Sequence, residues 1–333
     1  MPRAKRFKTA ERATICHCVT RTVNGEFLLD DVAKEVLRKQ LHQLATFCGV
    51  ELLTYAIMSN HFHVLVRVPG QETISDAELL RRYKILYTKP TKYATAQLEV
   101  LEKTLAENGP AAEALRKQWQ ARMGDVSEFM KSVKQRFSVW YNRSHGRYGP
   151  LWADRFTSVI VEGNGHCGLQ MVASYIDLNP VRAGLVEDPK DYRWSGYGEA
   201  VATGGAMVEG LRQVLADAAG NWSEADVLGA YRLGLLGKGT MVKRDGSGGV
   251  VSAEAYALAQ RQEGKLSVTE RLRLRMRWLT RGAVIGSRQF VEEHLNAYRL
   301  MNGRREKIPP RHFARDSGTT WPESLFALRG GKV

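Results

Sequence analysis

The chain has 333 residues and a formal net charge of +14, with 49 Lys and Arg against 35 Asp and Glu. Its apolar fraction of 44% is that of an ordinary globular protein. The absence of a long apolar run or a signal-peptide core argues against a membrane span and predicts a cytoplasmic location. The charge favours a polyanionic partner, nucleic acid first, although a protein can be basic without binding one.

Hydrophobic periodicity predicts a β-α-β-β order at the N-terminal end. The β-branched run 13–21 predicts a strand, and the segment that begins at Asp30 or Asp31 and stops at Gly49 predicts a capped helix. Two strands follow, VELLTYAIM and HFHVLVRVP, joined around Ser59 and Asn60. This order predicts an α+β fold.

The middle of the chain is predicted to be largely helical. A helix is expected in SDAELLRRYKILY, and a helical insertion over about residues 88–124, with breaks at KPTK and ENGPA. The segment VSEFMKSVKQRFSVWYNRSHGR has strong helical patterning. A predicted strand and a predicted helix follow, FTSVIVEG and GLQMVASYIDL, so the order of elements is again β-α.

Composition predicts three parts. Residues 1–205 form the first domain, residues 206–255 read as a Gly-rich linker region, and residues 256–333 as a basic, mainly helical accessory domain. Within the last part, Arg and apolar residues alternate in RLRLRMRW, a strand-like period, whereas VIGSRQFVEEHLNAYR predicts a helix that starts near Ser287.

The four cysteines are predicted to be reduced thiols, because no two of them form a CxxC pair. They are Cys16, Cys18, Cys48 and Cys167. Cys16 and Cys18 flank His17, an arrangement that could suggest zinc. Isolated cysteines on a strand are more often core residues, so core packing is favoured.

His61 and His63 are two residues apart on a strand, so both imidazoles lie on one face while Phe62 and Val64 lie on the other. Two neutral imidazoles can be neighbouring ligands to a divalent ion, but a structural zinc site needs two more ligands. An open site that leaves positions for phosphate oxygens and water suits the basic composition better. A bare HxH is also compatible with two ordinary histidines on an edge strand.

Three segments resemble one family: MSNHFHVLVRVP, FSVWYNRSHGRYGPLWADRFTSVIVE and SYIDLNPVRAGLVEDPKDYRWSGY. They resemble the HUH single-tyrosine transposases, and more closely the REP-associated tyrosine transposases. Together they extend from residue 58 to residue 197. The resemblance implies a ferredoxin-like antiparallel sheet and makes residues 1–205 the catalytic domain.

The resemblance also implies the chemistry. Its motif makes Tyr175 the nucleophile that attacks DNA and forms a 5′-phosphotyrosine, and adds Asn179 to His61 and His63 as ligands of Mg²⁺ or Mn²⁺. Tyr141 and Tyr148 are the competing tyrosines. Tyr175 and Asn179 are spaced i, i+4, although Pro180 disfavours helical backbone at the residue before it and marks Asn179 as a helix end.

A cluster of cations with an aromatic residue is the candidate DNA contact: Arg143, Arg147, Trp152 and Arg155. The alternative is that Trp152 is core and the arginines are a solvated face. The resemblance implies single-stranded DNA with palindromic hairpins as substrate, and leaves monomer and homodimer open. Two rival functions are a hairpin-binding regulator that does not cleave and a metal-dependent hydrolase that uses water.

Overall fold

The computed structural model describes residues 13–70, 74–86, 92–163, 167–215, 221–235, 278–302, 311–312 and 326–329. The strands are β1 Thr14–Arg21, β2 Glu51–Ile57, β3 His61–Val68, β4 Thr157–Val161, β5 Gly282–Gly286, β6 Arg311–His312 and β7 Phe326–Arg329. The first helices are α1 Asp31–Cys48, α2 Asp76–Ile85, α3 Lys92–Glu107, α4 Pro110–Gln120, α5 Val126–Ser144 and α6 Cys167–Asp177. Those that follow are α7 Asn179–Arg182, α8 Gly196–Thr203, α9 Ala206–Val214, α10 Glu224–Leu235, α11 Trp278–Arg281 and α12 Arg288–Asn302.

The first four strands have the ferredoxin-like arrangement. They lie side by side in the order β2-β3-β1-β4, and every neighbouring pair is antiparallel. Helix α1 connects β1 to β2 across β3, and the segment that ends in α5 connects β3 to β4 across β1. This is the split βαβ pattern, so the α+β, ferredoxin-like prediction is confirmed.

The sheet is covered on both faces. Phe62 of β3 points to one face, where its ring is 5.6 Å from that of Trp152, which in turn contacts Phe137 of α5. His63 points to the other face and contacts Tyr175 of α6. Since side chains alternate along a strand, α1 and α5 lie on one face of the sheet and α6 lies on the other.

Local signals in the sequence account for the helix ends. The Asp30 carboxylate accepts a hydrogen bond from the Ala33 amide, and Gly49 ends α1 with φ of 62°, a conformation that favours glycine. Asp125 caps α5 in the same way. The capped helix predicted near Ser287 is α12, where the Ser287 hydroxyl accepts from the Phe290 amide.

The predicted helical insertion is present as α3 and α4, and α4 packs against α2. Trp119 stacks on Tyr83 with ring centroids 4.7 Å apart. Arg116 forms an ion pair with Asp76 at 2.7 Å. The insertion is therefore attached to the α1 and α5 side of the fold through α2, which contacts α1.

The structure differs from the linker prediction over residues 206–215 and 221–235, which form α9 and α10. Gly210 of α9 lies so close to β2 that an added Cβ would be 2.5 Å from the Leu52 carbonyl oxygen. Tyr231 of α10 donates to Asp177 of α6. The small residues that indicated a linker instead permit close packing, and residues 236–277, which include most of the alternating Arg run, lie outside the described residues.

The described C-terminal residues are not only helical. Strand β5 pairs in parallel with β4, and β7 and β6 extend the same sheet beyond it. The division into three domains stays a prediction. No helix within the described ranges is long and apolar enough to cross a membrane.

Candidate active site

The histidine pair lies at the start of β3, directly after the Ser59–Asn60 turn. The Met58 amide donates to the His61 carbonyl across this turn at 2.8 Å. The rings of His61 and His63 have centroids 5.1 Å apart and are nearly perpendicular, at 81°. His63 is buried and His61 is partly buried. The prediction that both imidazoles share one face is confirmed.

Asn60 orients the His61 ring. Its amide nitrogen donates to the Gly25 carbonyl at 3.0 Å, which places its amide oxygen 2.7 Å from His61 Nδ1. An amide oxygen only accepts, so Nδ1 of His61 carries the proton. The Nε2 lone pair of a neutral His61 is then available to a ligand.

His17 of β1 orients the His63 ring. His17 Nδ1 lies 2.7 Å from the Leu279 carbonyl oxygen of α11, and this nitrogen must donate because a carbonyl only accepts. In a neutral His17 the other nitrogen, Nε2, accepts, and it lies 2.9 Å from His63 Nδ1. His63 therefore carries its proton on Nδ1 and leaves Nε2 unprotonated, the same tautomer as His61.

Burial keeps these rings neutral. Desolvation lowers the pKa of His17 to about 4, against a smaller opposing effect of the Leu279 hydrogen bond. Desolvation, then Arg21 and Arg182, lowers the pKa of His61 to about 4. The same causes, together with the neighbouring rings, lower the pKa of His63 well below its usual value. Neutral imidazole is the form that binds metal ions.

Tyr175 is the tyrosine that the fold brings to the histidine pair. Its ring contacts His63 edge-on at 5.7 Å between centroids, and His17 at 6.2 Å. Of its competitors, Tyr141 is buried and stacks on His145, while Tyr148 is 96% exposed. Helix α6 crosses β2 and β3 on the histidine face and carries Tyr175 to this position.

Asn179 begins α7, one turn beyond Tyr175. Its amide nitrogen donates to the carbonyls of Tyr175 at 2.9 Å and Ile176 at 3.3 Å, so its amide oxygen is directed away from them. The helix end predicted at Asn179 is wrong, because α6 ends at Asp177 and Asn179 is the first residue of α7. The backbone nevertheless stays helical at Leu178, which keeps Asn179 next to the turn that carries Tyr175.

A buried carboxylate anchors the end of α6. Asp177 accepts hydrogen bonds from the Thr54 hydroxyl, the Tyr197 amide and the Tyr231 hydroxyl, which belong to β2, α8 and α10. Burial raises the pKa of Asp177 to about 6, although these three donors act in the opposite direction. Since Asp177 is two residues from Tyr175, the network fixes the helix turn that carries the tyrosine.

The Nε2 atoms of His61 and His63 are the ring nitrogens that these hydrogen bonds leave for a metal ion, whereas ligation by Asn179 stays a prediction. Within the described ranges no three His, Cys, Asp or Glu side chains are grouped as a metal site. His17 is not a further metal ligand, because its two ring nitrogens form hydrogen bonds with Leu279 and His63. The fixed Nε2 lone pairs of His61 and His63 suit a divalent ion that keeps water or substrate oxygens as its remaining ligands.

The cysteines on either side of His17 are core residues. Cys16 and Cys18 are buried opposite Val66 and Val64, on the sheet face away from the histidine pair. They therefore do not meet His17 in a common site. Core packing of these two thiols, favoured from the sequence, is confirmed.

The four predicted DNA contacts occupy different environments. Arg143 and Arg155 are exposed, and Arg147 is partly buried. The Trp152 indole packs on Phe62 and donates from Nε1 to the Lys134 carbonyl at 3.1 Å. Its packing role is thus visible, whereas DNA contact by these four residues stays a prediction.

The comparison with protein families gives a match in the N-terminal part of the chain. Residues 11–100 match the family described as IS200-like transposase. The resemblance inferred from the sequence is confirmed at the level of this family. The matched IS200-like segment contains β1, α1, β2 and β3, and so the His17, Asn60, His61 and His63 side chains. Tyr175 and Asn179 lie beyond it.

The solved structures that are similar to this chain include the "REP associates tyrosine transposase bound to a REP hairpin". The sequences are 16% identical, the match covers 61% of this chain and 87% of the other, and the TM-score is 0.39. A superposition at that score transfers no residue role. No curated protein matches the chain.

Sequence reasoning missed Asn60 and the role of His17. Asn60 adjoins the histidine pair in the MSNHFH motif, and a polar residue in a tight turn beside a candidate ligand is a signal for an orienting role. His17 had no such signal. Its contact depends on the antiparallel register of β1 and β3, where His17 pairs with Leu65 and Val19 with His63.

Proposed function

We propose that this chain is a metal-dependent DNA strand transferase in which Tyr175 attacks a phosphodiester. The observation that supports this most is the contact of the Tyr175 ring with His63, whose tautomer is set by His17. A tyrosine beside two neutral imidazoles whose Nε2 lone pairs are unprotonated is the constellation that metal-assisted phosphodiester attack requires.

The tyrosine oxygen would form a bond to phosphorus, and the bond from phosphorus to the 3′ oxygen would break. The phenol proton leaves to water and the departing 3′ oxygen gains one, so the products are a 5′-phosphotyrosine and a free 3′-hydroxyl. Because the phosphodiester energy is kept in the covalent intermediate, a later 3′-hydroxyl can reverse the step and join strands.

The chain's own residues would position this reaction. His61 and His63 through Nε2, and Asn179 through its amide oxygen, would hold Mg²⁺ or Mn²⁺. A bound divalent ion supplies positive charge to a nonbridging phosphate oxygen. Asn60 and His17 fix the rings, and the Asp177 network fixes the helix turn that carries Tyr175.

The proposed substrate is single-stranded DNA that carries palindromic hairpins, as the sequence resemblance implies. A net charge of +14 supports a nucleic-acid substrate, and binding should weaken as the salt concentration rises. The exposed Arg143 and Arg155 are available to phosphate groups.

The test is incubation of purified protein with labelled hairpin DNA from repeats beside its own gene, with Mg²⁺ or Mn²⁺. Wild type should give a protein–DNA adduct on a denaturing gel, and Tyr175→Phe and His61→Ala should not. Tyr148→Phe is the matched control and should keep the adduct, since Tyr148 is exposed and makes no ring contact with the pair.

Other outcomes would contradict the proposal. Cleavage without an adduct would indicate hydrolysis by water. Hairpin binding without cleavage in either metal would indicate a regulator that keeps the transposase fold.

A further inference from the structure

Arg182, at the end of α7, places a cation against the candidate nucleophile. Its Cζ lies 4.7 Å from the centroid of the Tyr175 ring. Two of its three guanidinium nitrogens, Nε and Nη1, are buried and have no hydrogen-bond partner in the described part of the chain. The side chain is therefore held beside Tyr175 with unused donors.

Arg182 is partly buried, and buried donors without a partner are costly. Other partly buried arginines here pair with a carboxylate, as Arg232 does with Asp188 at 2.7 Å and Arg38 with Glu199 at 2.9 Å. Since almost all buried donors in proteins are paired, those of Arg182 require a partner that the described residues do not supply. A ligand is the simplest source of that partner.

The surroundings select an anion. Arg182 lies over the ring of Tyr175, which in turn contacts His63. Arg21 lies directly opposite His61 in the pairing of β1 with β3. Two cations that flank a pair of neutral imidazoles form a positive site, which suits a phosphate group.

We propose that Arg182 is a catalytic residue that donates hydrogen bonds to a nonbridging oxygen of the DNA phosphodiester that Tyr175 attacks. This inference rests on the proposed function for the identity of the substrate. Negative charge builds on the nonbridging oxygens as the new bond to phosphorus forms, and a fixed guanidinium stabilises it there. The same cation, over the face of Tyr175, holds the tyrosine ring in place for attack.

The first arm of the test compares rates of adduct formation. Arg182→Gln should slow the step by about a hundredfold or more, the size expected for a lost charge-stabilising donor, and Arg182→Lys should restore part of the rate. Arg193→Gln is the matched control, because Arg193 also stacks on an aromatic ring, Trp194 at 5.3 Å, but lies elsewhere. Thermal unfolding of each variant separates a folding defect from a rate defect.

A methylphosphonate at the scissile position refines this arm. It replaces a charged nonbridging oxygen with a neutral methyl group. If Arg182 acts on that charge, Arg182→Gln and wild type should react with the modified substrate at similar rates. Equal slowing of both substrates by Arg182→Gln would overturn the proposed contact.

The second arm keeps Arg182 intact and does not depend on cleavage. The Nε–H resonance of Arg182, assigned by its loss in Arg182→Lys, is followed by NMR in Tyr175→Phe protein as hairpin DNA is added. A shift supports the phosphate contact, and an unchanged resonance overturns it. If the Arg182 resonance shifts in Tyr175→Phe protein but wild-type protein forms no adduct, the phosphate contact is supported and the proposed function is rejected.

Discussion

His63 Nδ1 donates a hydrogen bond across 2.9 Å to His17 Nε2, although the two residues belong to different strands. His17 in turn donates to the Leu279 carbonyl at 2.7 Å. Each ring donates from Nδ1, His63 to His17 and His17 to Leu279, so the Nε2 lone pair of His63 is not used by either hydrogen bond. A buried side chain outside the HxH motif thus decides which nitrogen the motif presents.

Replacing His17 should weaken metal binding. His17→Ala removes the acceptor for His63 Nδ1, so the ring can rotate or change tautomer, and Mn²⁺ affinity should fall by roughly 10 to 100-fold. Isothermal titration with Mn²⁺ measures this. His17→Gln, which can both donate and accept, should retain part of the affinity.

The matched control is His42→Ala, since His42 pairs with Glu199 on another part of the fold. It should leave Mn²⁺ affinity unchanged. Equal affinities of His17→Ala and wild type would show that the hydrogen-bond chain does not orient His63.

Asp177 should make stability depend on pH. Its pKa is raised to about 6 in the folded state from 3.8, so the folded protein binds the proton more tightly than the unfolded one. This contribution is complete below pH 3.8 and is lost as the pH rises through about 6. The free energy of unfolding of wild type relative to Asp177→Asn should therefore increase by roughly 2 kcal/mol between pH 7 and pH 4.

Urea denaturation at several pH values measures the effect. The control is Asp226→Asn, since hydrogen bonds from Ser223 lower the pKa of the exposed Asp226 instead of raising it. The free energy of unfolding of wild type relative to Asp226→Asn should not increase as the pH falls from 7 to 4. A constant difference between wild type and Asp177→Asn would mean that Asp177 titrates alike in both states.

Arg143 and Arg155 should contribute to DNA affinity through phosphate groups. Both are exposed, and replacing each with Gln should weaken binding similarly for different DNA sequences. The slope of log Kd against log salt should fall by about one per lost contact. Arg81→Gln is the control, because Arg81 is already paired with Glu78 at 2.6 Å. Unchanged slopes would identify the two arginines as a solvated face.

Trp152 should matter for stability more than for binding. Its ring packs on Phe62 and Phe137, so Trp152→Ala should lower the free energy of unfolding by roughly 3 kcal/mol. Trp152→Phe keeps most of the packing but loses the bond to the Lys134 carbonyl, and should cost about 1 kcal/mol. Chemical denaturation measures both. If Trp152→Phe kept its stability and bound hairpin DNA much more weakly, base stacking would be the role of the indole.

The sequence was sufficient where structure depends on local spacing. The period of two along β3 predicted that His61 and His63 share a face, and the Asp30 and Gly49 signals predicted the ends of α1. The ferredoxin-like strand order came from the family resemblance.

Contacts between distant segments could not be predicted in this way. His17 reaches His63 only through the register of β1 with β3, and Asp177 meets Tyr231 only because α10 packs on α6. Composition predicts a linker where α9 and α10 lie, because small residues are common in both flexible and closely packed segments. The Cβ position of Gly210, 2.5 Å from a β2 carbonyl, shows which of the two applies there.

The acceptor that completes the His17 and His63 hydrogen bonds lies 262 positions after His17. Since the ribosome releases a chain from its N-terminal end, the histidine pair is made long before the carbonyl that fixes it. A product that stops before residue 279 would contain the HxH motif and Tyr175 but lack this acceptor. The orientation of His63 in the candidate site therefore depends on a segment that is synthesised after His61, His63 and Tyr175.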